Sequence, residues 1–420
     1  MEKLAILGGS PVKTTPFGTG KRFGEEELSQ LKEALEQQTL FYWHGKKVKG
    51  FCEKLAKIYN MPHCTAVSSG TAAIHTALGA LGIGQGDEVI TTPITDMGTV
   101  IGILYQGAVP VFADLEPHTY NPDPKSIEAC VTNKTKAILV VHLAGNPADM
   151  DAIMAIARRY DLRVVEDCAQ SWLSYYKGRL TGTIGDIGCF STNEFKHIST
   201  GDGGALLMRD ETLYRRALMF ADKNYDRIGG MPIRNCEALA PNYRMTELQG
   251  AVGIAQLDKL ERICARRSEI GDRITREIGD WPGIYPPKIL EGCKSSYWFY
   301  MLRIDAAGAG IDAQGFADAL KAEGIPAGKG YIPACIYEYP LFRGAYPKGL
   351  CPVAEEILET SVKFSISEFW SDQDVSEIIE AIKKVAAYYG EKLWSSTSTT
   401  MPTTTATTAM PCCATWTKTA

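Results

Sequence analysis

Short apolar runs alternate with helical patterns from about residue 24 to residue 270. Between the runs, residues 71–81 and 149–159 repeat apolar positions at helical spacing. Strands that alternate with helices of this length predict an α/β fold with a mostly parallel sheet covered on both faces. The runs predicted as strands are residues 65–67, 87–92, 109–113, 136–142 and 162–166.

The pattern changes near residue 246, where one helical pattern continues to residue 278. Residues 297–304 then read as a strand, and residues 316–322 and 375–389 read as helices. A chain of 420 residues exceeds what one hydrophobic core usually serves. We therefore predict a large domain at residues 1–260 and a smaller α+β domain at residues 261–394.

The composition narrows the class of protein. Residues 395–420 consist mainly of Ser, Thr, Ala and Pro, which predicts a disordered Thr-rich tail. The net charge is −5 and no basic stripe is present, which disfavours nucleic-acid binding. The first apolar run has four residues, too few for a signal peptide, and no stretch approaches the ~20 apolar residues of a membrane helix.

Cysteine and histidine usage adds two expectations. The 12 Cys are scattered without a CxxC pair, as is typical of reduced thiols in the cytoplasm. The six His are dispersed and none has metal-ligand spacing to another, so we expect no metal site.

Three stretches carry candidate chemistry, because ligands of such sheets lie beyond the carboxyl ends of the strands. Residues 68–73 (SSGTAA) form a strand-to-helix junction, which suits a phosphate but is also an ordinary helix cap. Asp167, in the EDCAQ stretch, follows an apolar strand. Its carboxylate could be a metal ligand, a ribose contact, the partner of a cofactor's pyridinium nitrogen or a plain helix cap. In residues 189–204, Lys196 precedes a Gly-rich turn and is either a nucleophilic amine or a solvated surface lysine.

Taken together, these stretches resemble the DegT/DnrJ/EryC1/StrS family of aminotransferases that depend on pyridoxal 5′-phosphate. The resemblance runs from about residue 9 to residue 389 and includes GQGDEVI at 84–90 and PNYRMTELQ at 241–249. It implies the aspartate-aminotransferase (type I) fold, with a large domain and a smaller C-terminal domain. It also implies amine transfer to keto-sugars or keto-cyclitols in a homodimer with shared active sites.

The resemblance assigns roles to individual residues. Lys196 matches the Schiff-base lysine, Asp167 the carboxylate that pairs with the pyridine nitrogen, and Gln170 a residue that lies against the ring or its hydroxyl. The phosphate contacts match Gly70, Thr71, Ser191 and, from the neighbouring subunit, Asn242. Asp96 stands where many relatives have an aromatic residue that stacks on the ring. Either Met97 or another side chain covers the ring, or Asp96 contacts polar groups of the cofactor or substrate.

Three competing functions fit the sequence less well. Sugar 3-dehydratases of the same family carry His at the lysine position, so Lys196 argues against dehydration. A non-catalytic regulator would need a basic DNA-binding segment, and a nicotinamide-dependent oxidoreductase would need a G-x-G-x-x-G motif that Gly8 and Gly9 do not supply. Residues 4–12 and 41–45 and the Phe-x5-Lys spacing resemble the cyclitol and aminohydroxybenzoate branch of the family more than the nucleotide-sugar branch. This resemblance implies a scyllo-inosose-like ketocyclitol as acceptor and glutamine or glutamate as donor, with a nucleotide-linked 3- or 4-ketosugar as the alternative. Tyr42, Trp43 and Tyr331 are either pocket residues or packing residues.

Overall fold

The computed structural model describes residues 2–229 and 236–396. The predicted tail lies outside the described residues from residue 397 onward. The helices are α1 (Glu25–Glu36), α2 (Lys47–Tyr59), α3 (Gly70–Ala80), α4 (Met97–Tyr105), α5 (Pro124–Ala129), α6 (Met150–Tyr160), α7 (Glu211–Ala221), α8 (Glu247–Ile278), α9 (Ala306–Ala309), α10 (Ala313–Ala322), α11 (Pro352–Thr360) and α12 (Asp372–Ser396). The strands are β1 (His63–Val67), β2 (Glu88–Thr91), β3 (Val109–Phe112), β4 (Thr135–Val141), β5 (Arg163–Asp167), β6 (Tyr175–Tyr176), β7 (Arg179–Leu180), β8 (Ile187–Ser191), β9 (Gly204–Met208), β10 (Ile284–Tyr285), β11 (Phe299–Ile304), β12 (Ala327–Lys329) and β13 (Ser361–Ser365).

A seven-stranded sheet forms the larger part of the fold, in the order β1-β9-β8-β5-β4-β2-β3. Strand β9 is antiparallel to both of its neighbours, and the other pairs are parallel. The prediction of a mostly parallel α/β sheet is therefore confirmed. Because the parallel strands share one direction, β4, β5 and β8 end at the same edge of the sheet.

Successive side chains of the central strands enter different cores, as the two-residue period of a strand requires. Val165 packs with α3 and α7 on one face of the sheet, whereas Val164 packs with α5 and α6 on the other. Leu206 of β9 packs in the same core as Val165, whereas the next residue, Leu207, packs in a core formed with α2 and α8. Burial on both faces explains why these strands read as near-continuous apolar runs.

Helix α8 joins this sheet to a second one. It is 32 residues long, or about 48 Å. Its first half packs against α1 and α2, and Ile270, Ile274 and Ile278 enter the core of an antiparallel sheet in the order β10-β11-β13-β12. Helices α10 and α12 cover that sheet. The predicted division at residues 260 and 261 falls inside α8 and stays a prediction.

None of the described helices combines the length and the apolar content that a bilayer span requires.

Candidate active site

A cavity of about 220 Å³ lies where β5 and β8 end and where α3 and α4 begin. It brings together every predicted site residue except Asn242. The lining residues are Ser69, Gly70, Thr71, Ile74, Thr95, Asp96, Gly98, Thr99, Asp167, Ala169, Gln170, Ser191, Asn193, Lys196 and Asp202.

Lys196 lies in the loop between β8 and β9, and only 9% of its surface is exposed. Its backbone N–H donates to the Asn193 carbonyl oxygen at 2.9 Å. Burial lowers the pKa of the Lys196 ammonium to about 8, although Asp167 and Asp96 favour its charged form. At neutral pH and above, an appreciable fraction of this amine is therefore unprotonated and nucleophilic.

Asp167 is the last residue of β5 and is buried. Its carboxylate oxygens accept hydrogen bonds from the Thr99 hydroxyl at 2.8 Å and from the Ala169 N–H at 3.0 Å. Burial nevertheless raises the pKa of Asp167. No ion pair joins it to a cation in the part of the chain that the structure describes. A protonated ring nitrogen would supply a directly paired cation for this buried carboxylate.

The first turn of α3 offers an anion cradle. Ser69 caps the helix, its hydroxyl oxygen accepting from the Ala72 N–H at 3.0 Å, and the N–H groups of Gly70 and Thr71 have no acceptor within the helix. Ser191, at the end of β8, faces this turn. A Cβ on Gly70 would lie 2.7 Å from the Ser191 Cβ, so the close approach requires glycine. Backbone donors, hydroxyls and the helix dipole suit a phosphate group.

Gln170 and Asp96 both line the cavity, and each has a backbone partner. The Gln170 side-chain oxygen accepts from the Ala144 N–H at 2.8 Å, and its amide donates to the Tyr331 hydroxyl at 3.4 Å. Asp96 caps α4 by accepting from the Gly98 N–H at 2.8 Å, while its carboxylate still lines the cavity. Met97, the neighbour considered as a ring cover, is not among the lining residues.

Three other predicted residues lie elsewhere. Asn242 is exposed, forms a β-bridge with Asp222 and is not among the lining residues. The Tyr42 hydroxyl donates to Asp222 at 2.7 Å, and Trp43 lines a separate small hollow. Within a single chain, none of these three residues lines the cavity around Lys196.

Two side chains that the sequence analysis did not single out contact the principal residues of the site. Thr99 donates its hydroxyl hydrogen bond to Asp167. It lies in the first turn of α4, which begins at the ligand edge of the sheet, and this position is the signal that could have revealed Thr99. Trp298 places the centroid of its indole 3.7 Å from the Lys196 Nζ. No local pattern marks Trp298, because the contact joins two distant parts of the chain.

A buried group next to the site has the residue types of a metal site. His142, Glu166 and Cys168 bring potential ligand atoms within 4.8 Å of one another. The Glu166 carboxylate, however, accepts from the N–H groups of residues 182, 184 and 185 and from His142 Nε2. These four hydrogen bonds occupy its lone pairs and lower its pKa, so the cluster is a structural network that fixes β5.

The family model, two curated relatives and a solved structure all point to one aminotransferase family. The family model for the DegT/DnrJ/EryC1/StrS aminotransferase family matches residues 21–383. The spore coat polysaccharide biosynthesis protein SpsC of Bacillus subtilis is 35% identical over 370 residues, covering 86% of this chain and 95% of the relative. A Streptoalloteichus tenebrarius protein with the provisional name L-glutamine:3-amino-2,3-dideoxy-scyllo-inosose aminotransferase is 34% identical, with 91% and 97% covered. The crystal structure of an aminotransferase from Psychrobacter cryohalolentis superimposes with a TM-score of 0.83 at 30% identity, covering 89% of this chain and all of that one.

Proposed function

This chain belongs to the DegT/DnrJ/EryC1/StrS aminotransferase family and is thus a pyridoxal-phosphate-dependent aminotransferase, and from this premise we propose that it moves an amino group from glutamine or glutamate to a scyllo-inosose-like ketocyclitol or a ketosugar. One observation carries the proposal. A buried lysine amine, a buried carboxylate and an uncharged anion cradle line the same cavity.

The cavity fits pyridoxal 5′-phosphate at three points. Lys196 would hold the aldehyde carbon, Asp167 the ring nitrogen, and the first turn of α3 with Ser191 the phosphate. When bound, this cofactor supplies an electron sink next to the carbon that gains or loses the amine.

The chain's own residues account for the remaining chemistry. As a carboxylate, Asp167 favours a protonated ring nitrogen, and the Thr99 hydroxyl stabilises that carboxylate. When it is not bonded to the cofactor, the Lys196 Nζ would be a tethered base able to move a proton at the reacting carbon. Gln170 is held by the Ala144 N–H, so its side chain is oriented before any ligand binds.

The charge of the cavity favours a neutral acceptor. Among the lining residues, Lys196 is the single cation, whereas Asp96, Asp167 and Asp202 are acids. A pyrophosphate would meet no additional cation in this lining. A neutral ring rich in hydroxyls requires only hydrogen-bonding partners, which supports a cyclitol over a nucleotide-linked sugar.

The assembly is also part of the proposal. Asn242 is exposed and does not line the cavity of its own chain. A homodimer would let Asn242 complete the phosphate cradle of the partner's site, as the resemblance implies.

Amine transfer to a panel of acceptors tests the function. We expect turnover of scyllo-inosose or a related ketocyclitol with glutamine or glutamate, and little turnover of nucleotide-linked 3- or 4-ketosugars. Lys196→Ala should lose both the visible absorption of the bound cofactor and the borohydride-trapped adduct. Lys136→Ala, which changes an exposed lysine of β4, should retain both. Turnover of ketosugars alone would exclude the cyclitol assignment, and an adduct absent from Lys196 in the unsubstituted protein would exclude the site.

A further inference from the structure

Trp298 lies over the amine of Lys196, and the proposed function gives it no part. The ring centroid is 3.7 Å from Nζ, well within the ~6 Å at which an aromatic face attracts a cation. Trp298 immediately precedes β11 of the second sheet, whereas Lys196 follows β8 of the first. The contact therefore brings a side chain of the second sheet to the reacting group of the first.

The indole is fixed in this position by its other contacts. Its Nε1–H donates to the carbonyl oxygen of Phe195, the residue before Lys196, at 2.6 Å. Tyr331 packs against it edge to face, with ring centroids 5.9 Å apart and an interplanar angle of 81°. The Tyr331 hydroxyl accepts in turn from Gln170. The ring is therefore oriented toward the amine by partners on two sides.

We propose that Trp298 is a positioning residue for Lys196: its indole face holds the ε-amine at the cavity, favours the ammonium form and so sets the pH above which the amine attacks an aldehyde. This inference rests on the proposed function, in which Lys196 binds the cofactor through a C=N bond. In that step the lone pair of the neutral Nζ attacks the aldehyde carbon. The aldehyde oxygen then leaves as water with the two hydrogens of the amine.

Several groups besides Trp298 act on the same proton. Burial lowers the Lys196 pKa to about 8, and Asp167 and Asp96 oppose this effect. Only the neutral amine has a lone pair, so the attack becomes faster as the pH rises through the Lys196 pKa. The titratable and charged groups that surround the lysine are Asp167 from β5, Asp96 before α4, Asp202 and His197 from its own loop, Tyr331, and Arg22, which donates to the Lys196 carbonyl oxygen. Substitutions at position 298 change none of these residues themselves.

A comparison of Trp298→Phe with Trp298→Leu isolates the aromatic face. Both variants lose the Nε1–H donor and open a similar space, but only Phe keeps a ring face for the amine. Each cofactor-free protein is mixed with pyridoxal phosphate over a range of pH, and the rate at which visible absorption appears is measured. We expect the pH midpoint of this rate to be lower in Trp298→Leu than in Trp298→Phe by about 0.4 to 1 unit, the size of a cation–π contact.

Two controls separate the possible failures. Trp281 donates its indole N–H to the Ile278 carbonyl oxygen at 2.7 Å and packs against the core of the second sheet, so Trp281→Leu should keep the midpoint of the unsubstituted protein. Equal midpoints in Trp298→Phe and Trp298→Leu would overturn the role of Trp298. If Trp298→Leu does not fold, Trp298→Met provides the same comparison.

Peptide mapping after borohydride reduction of the unsubstituted protein tests the underlying function by itself. An adduct at Lys196 together with equal midpoints would remove only the inference about Trp298.

Discussion

At the scale of single residues, the state of Asp167 depends on its neighbours. Burial favours the neutral acid, whereas the Thr99 hydroxyl and the Ala169 N–H stabilise the carboxylate. Thr95 hydrogen-bonds the Thr99 hydroxyl at 2.7 Å, so the Thr99 donor is itself oriented. A carboxylate that must stay charged at the bottom of a cavity therefore relies on a short chain of hydroxyl groups.

Thr99→Val tests this dependence with little change of volume. Loss of the donor should raise the Asp167 pKa further. Less of the Asp167 carboxylate would then be available to pair with the protonated ring nitrogen of the cofactor. A hydrogen bond to a charged group contributes about 1.5–3 kcal/mol, so we expect amine transfer from glutamate to slow by about 10- to 100-fold. Stopped-flow measurement of the half-reaction provides the rate, and Thr99→Ser, which keeps the hydroxyl, should stay near the unsubstituted value. Equal rates for Val and Ser would show that Thr99 does not support Asp167.

At the scale of elements, α8 organises the surroundings of the lysine loop. Gln249 donates its amide N–H to the Asp202 carbonyl oxygen at 2.7 Å, and the Gln256 side-chain oxygen accepts from the Ser199 N–H at 3.2 Å. In its first turn, Glu247 is fully buried and accepts from the N–H groups of Lys47 and Val48 at 2.8 and 2.9 Å. It thereby caps α2, whose own cap residue makes no side-chain hydrogen bond.

Glu247→Ala should therefore destabilise the α2–α8 contact. It leaves two buried N–H groups without acceptors, and we expect a loss of about 2–3 kcal/mol in the free energy of unfolding. Urea denaturation measures the loss, and faster hydrogen exchange at the amides of Lys47 and Val48 would locate it. Glu261→Ala, which changes an exposed glutamate on the same helix, is the matched control. An unfolding free energy equal to that of Glu261→Ala would contradict the capping role.

The same elements show what could be predicted from the sequence. Strand β5 and helix α8 begin and end within a residue or two of the predicted ranges, because apolar periodicity is a local property. The rule for strand ends placed Asp167 at the ligand edge of the sheet, whereas the meeting of Lys196 with Asp167 was implied by the family resemblance. Trp298 and Glu247 could not be predicted, since a tryptophan beside a strand and a glutamate in a first helical turn are ordinary until the fold supplies their partners. Asp96 was left open, and its capping of α4 appears only in the structure.

At the scale of the whole molecule, the question is whether one chain completes its own site. The cradle at α3 contains no Asn242, and the exposed position of that residue suits a contact with a second copy. In a homodimer with shared sites, each cavity would combine Lys196 of one protomer with Asn242 of its partner. Either substitution alone would then damage both sites of a dimer.

Mixing two inactive variants tests this arrangement. Lys196→Ala and Asn242→Ala should each transfer little amine as pure proteins, the second because its phosphate cradle is incomplete. After joint unfolding and refolding at equal amounts, half of the dimers contain one chain of each kind. Such a dimer has one site with both defects and one with neither, so activity should recover to about a quarter of the unsubstituted value. A site built within one chain would give no recovery above the sum of the two pure variants, because every cavity would then retain its own chain's defect.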